Sequence, residues 1–136
     1  MKEKREVAFC YIYSQEVQKQ NDIEQLQLFF ESNEIKDSRT IEYVKEIASG
    51  IKENNESITK LISDNLKSGW TIDRISTIDV ALLKIAIYEI LYKKISYKII
   101  INEVVNYAKI YGEENSGSFI NGVLASVIKN MEEDNK

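Results

Sequence analysis

The sequence predicts an all-α fold, and three observations carry that expectation. Apolar residues recur at three- and four-residue spacing almost throughout the chain. None of the 136 residues is proline, so nothing forces a helix to stop early. Only one short run, Val7 to Tyr13, is β-branched and aromatic enough to pass for a strand, and no turn signals bound it. We assign that run to a first helix.

The later elements follow in order. Ile23, Leu26, Phe29 and Phe30 sit at helical spacing, with Asn21 as a candidate N-cap and Glu24 three residues on. Ile41, Val44, Ala48 and Ile51 repeat the pattern after Asp37-Ser38. Ile58, Leu61, Ile62 and Leu66 form a further short helix that stops near Gly69. Thr71 is placed to cap a single turn reaching Ile75. Ser76, three residues before Asp79, opens the most apolar segment, Ile78 to Tyr92. Its polar residues Asp79, Lys84 and Glu89 are spaced by five, a net rotation of ~140° each time, so they point to different sides. A helix apolar nearly all round is a central, buried one.

Ile101, Val104, Val105, Ala108 and Tyr111 then make a stripe ending at Gly112, a good C′ residue. Asn102, Asn106 and Lys109 line another face of this helix. The last helix carries two apolar rows, Phe119, Val123, Val127 and Ile120, Leu124, Ile128, Met131. Both run through Asn121-Gly122, a dipeptide that elsewhere signals a hairpin turn. The uninterrupted rows favour helix. A glycine there costs up to ~1 kcal/mol, offset either by tight helix packing or by close approach of a backbone or ligand. The expected division is one domain over residues 1–136, with helical halves of about 1–68 and about 76–131.

Composition narrows the function. An apolar fraction of 43% supports a real core, and 29% charged residues a well-solvated surface. No apolar run approaches the ~20 residues that span a bilayer. Met1 to Glu6 is charged and has no signal-peptide core. A soluble cytoplasmic protein is expected. The single Cys10 cannot form an intramolecular disulfide and reads as a buried small hydrophobe. There is no histidine, which removes Ser-His and Cys-His catalysis and every His-based metal site.

The net charge of −4 is unevenly spread. Residues 20–70 hold ten acids and six bases, whereas residues 84–111 hold five lysines and two glutamates. The chain ends in the acidic run Glu132-Glu133-Asp134. A local basic region can meet a partner that the total charge would discourage. Glu113-Glu114 are adjacent acids in a polar loop, a solvated pair with no base, nucleophile or phosphate-cradling loop beside them. Glu89, inside the apolar helix, calls for a hydrogen bond or a route to the surface. Binding therefore fits better than catalysis. Unpaired RNA is recognised by stacking on aromatics and by basic groups on its backbone. Candidates are Tyr11 and Tyr13 of the first helix, Lys2, Lys4 and Arg5 at its start, and Phe119 beside a loop holding Asn115 and Ser116. Ser116 also suits a helix cap, Phe119 suits a core position, and the basic cluster suits a solvated end.

Four blocks resemble the NusB family of transcription antitermination factors. They are Asp79-Val80-Ala81-Leu82-Leu83-Lys84-Ile85-Ala86-Ile87-Tyr88-Glu89, Tyr97-Lys98-Ile99-Ile100-Ile101-Asn102-Glu103, Ala108-Lys109-Ile110-Tyr111-Gly112 and Phe119-Ile120-Asn121-Gly122-Val123-Leu124. The N-terminal half is similar more loosely, through Tyr13-Ser14 and Gly50. The resemblance implies two packed three-helix bundles with about seven helices, no catalytic activity, no cofactor and no metal. It implies binding of single-stranded boxA RNA from ribosomal RNA operon transcripts, together with the small-subunit ribosomal protein NusE. Through other Nus factors that pair joins the RNA polymerase elongation complex and promotes processive transcription. By the same resemblance the RNA-binding residues are Lys2, Lys4, Arg5, Tyr13, Asn115, Ser116 and Phe119, and Asp79 is a partner-binding residue.

Three positions depart from the family pattern. Glu3 and Glu6 interrupt a short basic N-terminus, Asn115 stands where the family commonly has Asp, and Ser96 replaces a usual Pro. Each lost phosphate contact lowers the salt slope by ~0.9 or less, so weak RNA binding that improves with the protein partner is expected. A protein–protein adaptor of the same fold with little intrinsic RNA affinity is the competing expectation. The NusB-like domain fused to RNA cytosine methyltransferases is a third, set aside because a chain ending at Lys136 leaves no room for a catalytic domain. A homodimer that buries an apolar groove also fits.

Overall fold

The computed structural model describes residues 3–20 and 23–134, with the side chain of residue 134 excepted. Its described residues form seven α-helices and one 3-10 turn, with no strand among them. The chain divides into two compact units, Met1–Asn54 and Asn55–Lys136. Gly69, where the sequence suggests a break between halves, lies inside the second unit.

The first unit holds α1 (Lys4–Val17), α2 (Leu26–Ser32) and α3 (Ser38–Glu53). The strand-like run Val7 to Tyr13 is helical, and α1 packs on α3. Val7, Ala8, Phe9, Tyr11 and Ile12 of α1 are buried, as are Val44, Ile47, Ala48 and Ile51 of α3. Tyr11 meets Phe29 edge-on, with ring centroids 5.1 Å apart. The second helix starts later than its apolar spacing suggests. Gln25 is its N-cap, with no side-chain cap bond, and Ile23 is exposed; the candidate cap Asn21 lies outside the described residues. A true cap opens α3. The Asp37 carboxylate accepts from the Thr40 N–H at 3.2 Å and the Thr40 hydroxyl at 2.8 Å, which holds the carboxyl below its ordinary value.

The second unit holds α4 (Asn55–Asp64), the 3-10 turn Ile72–Arg74, α5 (Thr77–Tyr92), α6 (Tyr97–Tyr111) and α7 (Ser116–Asp134). Helix α5 is the centre of this unit, packed against α4, α6 and α7. Ala81, Leu82, Leu83, Ile85, Ala86 and Ile87 are fully buried, which accounts for the apolar residues on every side of the helix. Each large aliphatic among them contributes about 1.5–3 kcal/mol. Its polar residues are accommodated singly. Ser76 caps the helix by accepting from the Asp79 N–H at 3.2 Å. The ammonium of Lys84 donates to Asn55 Oδ1 at 2.9 Å. Glu89 is fully buried.

The buried stripe of α6 is rotated from the one the sequence suggests. Ile100, Val104, Tyr107 and Ala108 are buried, while Ile101, Val105 and Tyr111 are only partly so. Three consecutive isoleucines, Ile99 to Ile101, leave the phase of that helix undetermined until a neighbour is present; Ile99 ends up 57% exposed. In α7 both expected rows are largely buried through Ile128, and Asn121-Gly122 is helical. Asn65, just after α4, fastens that end to α7. Its Oδ1 accepts from Ser126 Oγ at 2.7 Å and from Asn130 Nδ2 at 2.8 Å.

Candidate functional site

Four of the eight candidate residues converge in the second unit. Asp79, Asn115, Ser116 and Phe119 line one cavity of about 390 Å³, joined by Trp70, Arg74, Ile75, Ser76 and Glu113. Convergence of positions 70–79 with 113–119 follows from the packing of α5 against α7. The loop between α6 and α7 is what shapes this cavity. Helix α6 ends as the Gly112 N–H donates to the Ala108 carbonyl at 2.8 Å. Gly112 has φ −94° and ψ −167°, so it is extended, not the left-handed C′ glycine suggested by its position. Its smallness matters for another reason: a Cβ built there would lie 2.6 Å from Ser116 Oγ and 2.8 Å from the Ala108 carbonyl oxygen.

Ser116 is the first residue of α7 and is only 3% exposed. Its hydroxyl oxygen accepts from the Glu113 N–H at 3.0 Å, bracing the loop, where a cap would accept from the helix interior. The hydroxyls of Ser116 and Ser76 lie near the Asp79 carboxylate and favour its charged form. Asp79 is 6% exposed, and its Oδ1 has no hydrogen-bond partner among the described residues. Burial raises the Asp79 carboxyl above its ordinary value, and the negative charge of Glu113 adds to the rise. The nearby Ser116 and Ser76 hydroxyls only partly oppose it.

Asn115 is exposed and Phe119 half-buried. Phe119 is thus neither a full core residue nor a free one. Its ring centroid stands 6.4 Å from that of Trp70, with the planes inclined at 45°. On the other side of these rings lies a second cavity of about 600 Å³, lined among others by Lys67, Trp70, Asn115, Phe119 and Gly122. A Cβ built at Gly122 would meet nothing within 4 Å, so tight helix packing is not what this glycine serves. Sequence reasoning missed Trp70. The available signal was a lone tryptophan between Gly69 and Thr71, in a polar stretch with no apolar row to claim it.

The other candidates belong to the first unit. Lys4 is exposed, with its ammonium 4.9 Å from the centroid of the Tyr43 ring, a cation–π contact. Arg5 is buried at 8% exposure. Tyr13 is 36% exposed and lies against Phe9, centroids 6.0 Å apart. Lys4 and Tyr13 are nine residues apart on α1, about two and a half turns, so they leave the helix on opposite sides. Lys2 lies outside the described residues. Tyr11, a second stacking candidate, is a core residue at 1% exposure. Burial thus changes the reading of three site residues. Arg5, Asp79 and Ser116 are placed largely inside, because each is held by its own unit's packing. Cys10 is partly exposed and lines a cavity of about 440 Å³ beside Phe29 and Thr40. No helix among the described residues is long and apolar enough to cross a membrane.

Comparison with known proteins gives this arrangement its context. The chain is 40% identical over 133 residues to the transcription antitermination protein NusB of Clostridium acetobutylicum, covering 97% of both chains. It is 39% identical over 126 residues to the protein of the same name from Acetivibrio thermocellus, covering 92% and 86%. Among solved structures it is similar to T. maritima NusB, with a TM-score of 0.81 at 35% identity over 93% of this chain and 88% of that one. It is also similar to a chain in a crystal structure of antitermination factors NusB and NusE in complex with double-stranded RNA. That TM-score is 0.83 at 26% identity, covering 93% and 94%. The NusB family profile matches residues 2–129, so with these relatives the chain belongs to the NusB family.

Proposed function

We propose that this chain is a transcription antitermination factor that binds boxA RNA of ribosomal RNA operon transcripts together with the ribosomal protein NusE. In that role it joins the RNA polymerase elongation complex in the cytoplasm and acts by binding, not by catalysis. Family membership supports the role, and the solved complex of relatives with NusE and double-stranded RNA supports both partners. The observation that carries the reading in this chain is the edge made by Asn115 and Phe119 at the start of α7. There an exposed amide and a half-exposed ring line the same two cavities.

On this reading Asn115 meets base edges and Phe119 a base face. Lys2, Lys4 and Tyr13 supply contacts from the first unit. Arg5, Ser116 and Asp79 act mainly by holding those surfaces in place, Asp79 through the loop that Ser116 closes. With Glu3 and Glu6 among the basic residues, binding to RNA alone is weak and NusE raises it. Titration of labelled boxA RNA with and without NusE tests the reading. A salt-dependent affinity that rises strongly when NusE is present is expected. Loss of all RNA binding with NusE present overturns it in favour of a protein adaptor, and tight binding without NusE overturns the dependence on the partner.

A further inference from the structure

We propose that Trp70 is a nucleobase-stacking residue, forming with Phe119 a two-ring platform for unpaired bases. This rests on the RNA-binding reading above and adds a residue to it. Trp70 is the chain's only tryptophan and keeps 53% of its surface exposed. An indole so exposed adds little to a core and more often marks a contact surface.

The turn that carries it is built to present it. Gly69 takes φ +90°, a conformation that glycine adopts without strain. The Trp70 N–H donates to the Lys67 carbonyl at 3.0 Å, and Arg74 Nη1 donates to the Gly69 carbonyl at 3.3 Å. The turn is therefore held from both sides of the indole. Trp70, Asn115 and Phe119 are the three residues shared by the linings of the two cavities, so they form the rib between them. Each cavity adds one exposed cation, Arg74 in one and Lys67 in the other, beside one exposed acid, Glu113 and Asp64 respectively.

Two aromatic faces, one amide and a cation on each side match the parts of an unpaired nucleotide run: base face, base edge and successive phosphates. A duplex keeps its bases stacked on one another and offers such rings no face, so the platform selects single-stranded RNA. Arg74 and Lys67 also give the second unit cations of its own beside these rings.

The single tryptophan makes the test direct. Single-stranded boxA RNA is titrated into the full chain in complex with NusE while indole fluorescence is followed. RNA affinity of Trp70→Ala and Trp70→Phe is measured with labelled RNA. Quenching of Trp70 by RNA is expected, with roughly tenfold weaker binding for Trp70→Ala and a loss of no more than about threefold for Trp70→Phe, which keeps a stacking face. Unchanged affinity of Trp70→Ala overturns the proposal while leaving RNA binding by the chain intact. A fluorescence change on adding NusE but none on adding RNA also overturns it and assigns the indole to the protein interface. Failure of the unaltered complex to bind RNA at all overturns both this inference and the function it rests on.

Discussion

Ser116 rests against the bare α-carbon of Gly112. A Cβ placed on Gly112 would lie 2.6 Å from Ser116 Oγ and 2.8 Å from Ser116 Cβ. The backbone oxygen of Ala108, also 2.8 Å away, crowds the same added methyl from a second direction. This contact lets the chain turn from α6 into α7 within four residues, and Ser116 then shares a cavity lining with Asp79.

Gly112→Ala is accordingly expected to lower stability by about 1–3 kcal/mol, the usual cost of overpacking a closed site. Urea unfolding measures it. The loss arises from sterics alone, since φ at Gly112 is negative. Combining Gly112→Ala with Ser116→Gly should cost less than the sum of the two single changes, as coupled neighbours do. Additive losses would show that the two residues do not share this space.

Gly122→Ala should have the opposite sign. The position is in the interior of α7, is exposed, and offers an added methyl open space. A gain of up to ~1 kcal/mol is expected from helix propensity, read as a higher thermal midpoint. A loss of stability would mean that another group closes on this position in solution.

Asp79 sets a pH dependence. Its carboxyl is raised by burial, so the folded state holds the proton more tightly than the unfolded chain. Stability from this group is fully present below the unfolded value near 3.8 and is lost as pH rises through the raised folded value. Asp79→Asn removes that slope. The stability difference between the variant and the original chain should therefore change with pH across this window and flatten above it. Parallel stability curves for the two proteins from pH 3 to pH 7 would contradict the assignment.

Asn115→Asp tests the RNA edge. It places a negative charge in an exposed loop that already carries Glu113 and Glu114. RNA affinity should fall roughly two- to fivefold near physiological salt, and further as salt is lowered. Binding of labelled RNA at two salt concentrations reads the effect, and stability should stay nearly unchanged. An affinity that does not move would take Asn115 away from the RNA.

Much of the second unit was legible in the sequence. The all-round apolar pattern of Ile78 to Tyr92 predicts a central helix, and α5 is that helix. The uninterrupted i, i+4 rows predict that Asn121-Gly122 is helical, and it is. The phase of α6 was not legible, because Ile99, Ile100 and Ile101 offer three equivalent faces and only the packed neighbour selects Ile100. Ser116 likewise reads as a surface cap by residue type alone. It is instead buried in the same cavity lining as Asp79, 37 positions earlier, which no local pattern connects to it.

The sequence by itself determined the helices, the buried centre and the family, because these follow from local periodicity and from blocks of adjacent residues. Tertiary structure decided which candidates are exposed and which are buried. It sent Tyr11, Arg5, Asp79 and Ser116 inward and left Asn115, Phe119, Lys4 and Tyr13 accessible. It also brought Trp70 beside Phe119, a partner 49 positions away. The physical reason is that exposure is a property of what packs over a residue, and those neighbours come from distant parts of the chain.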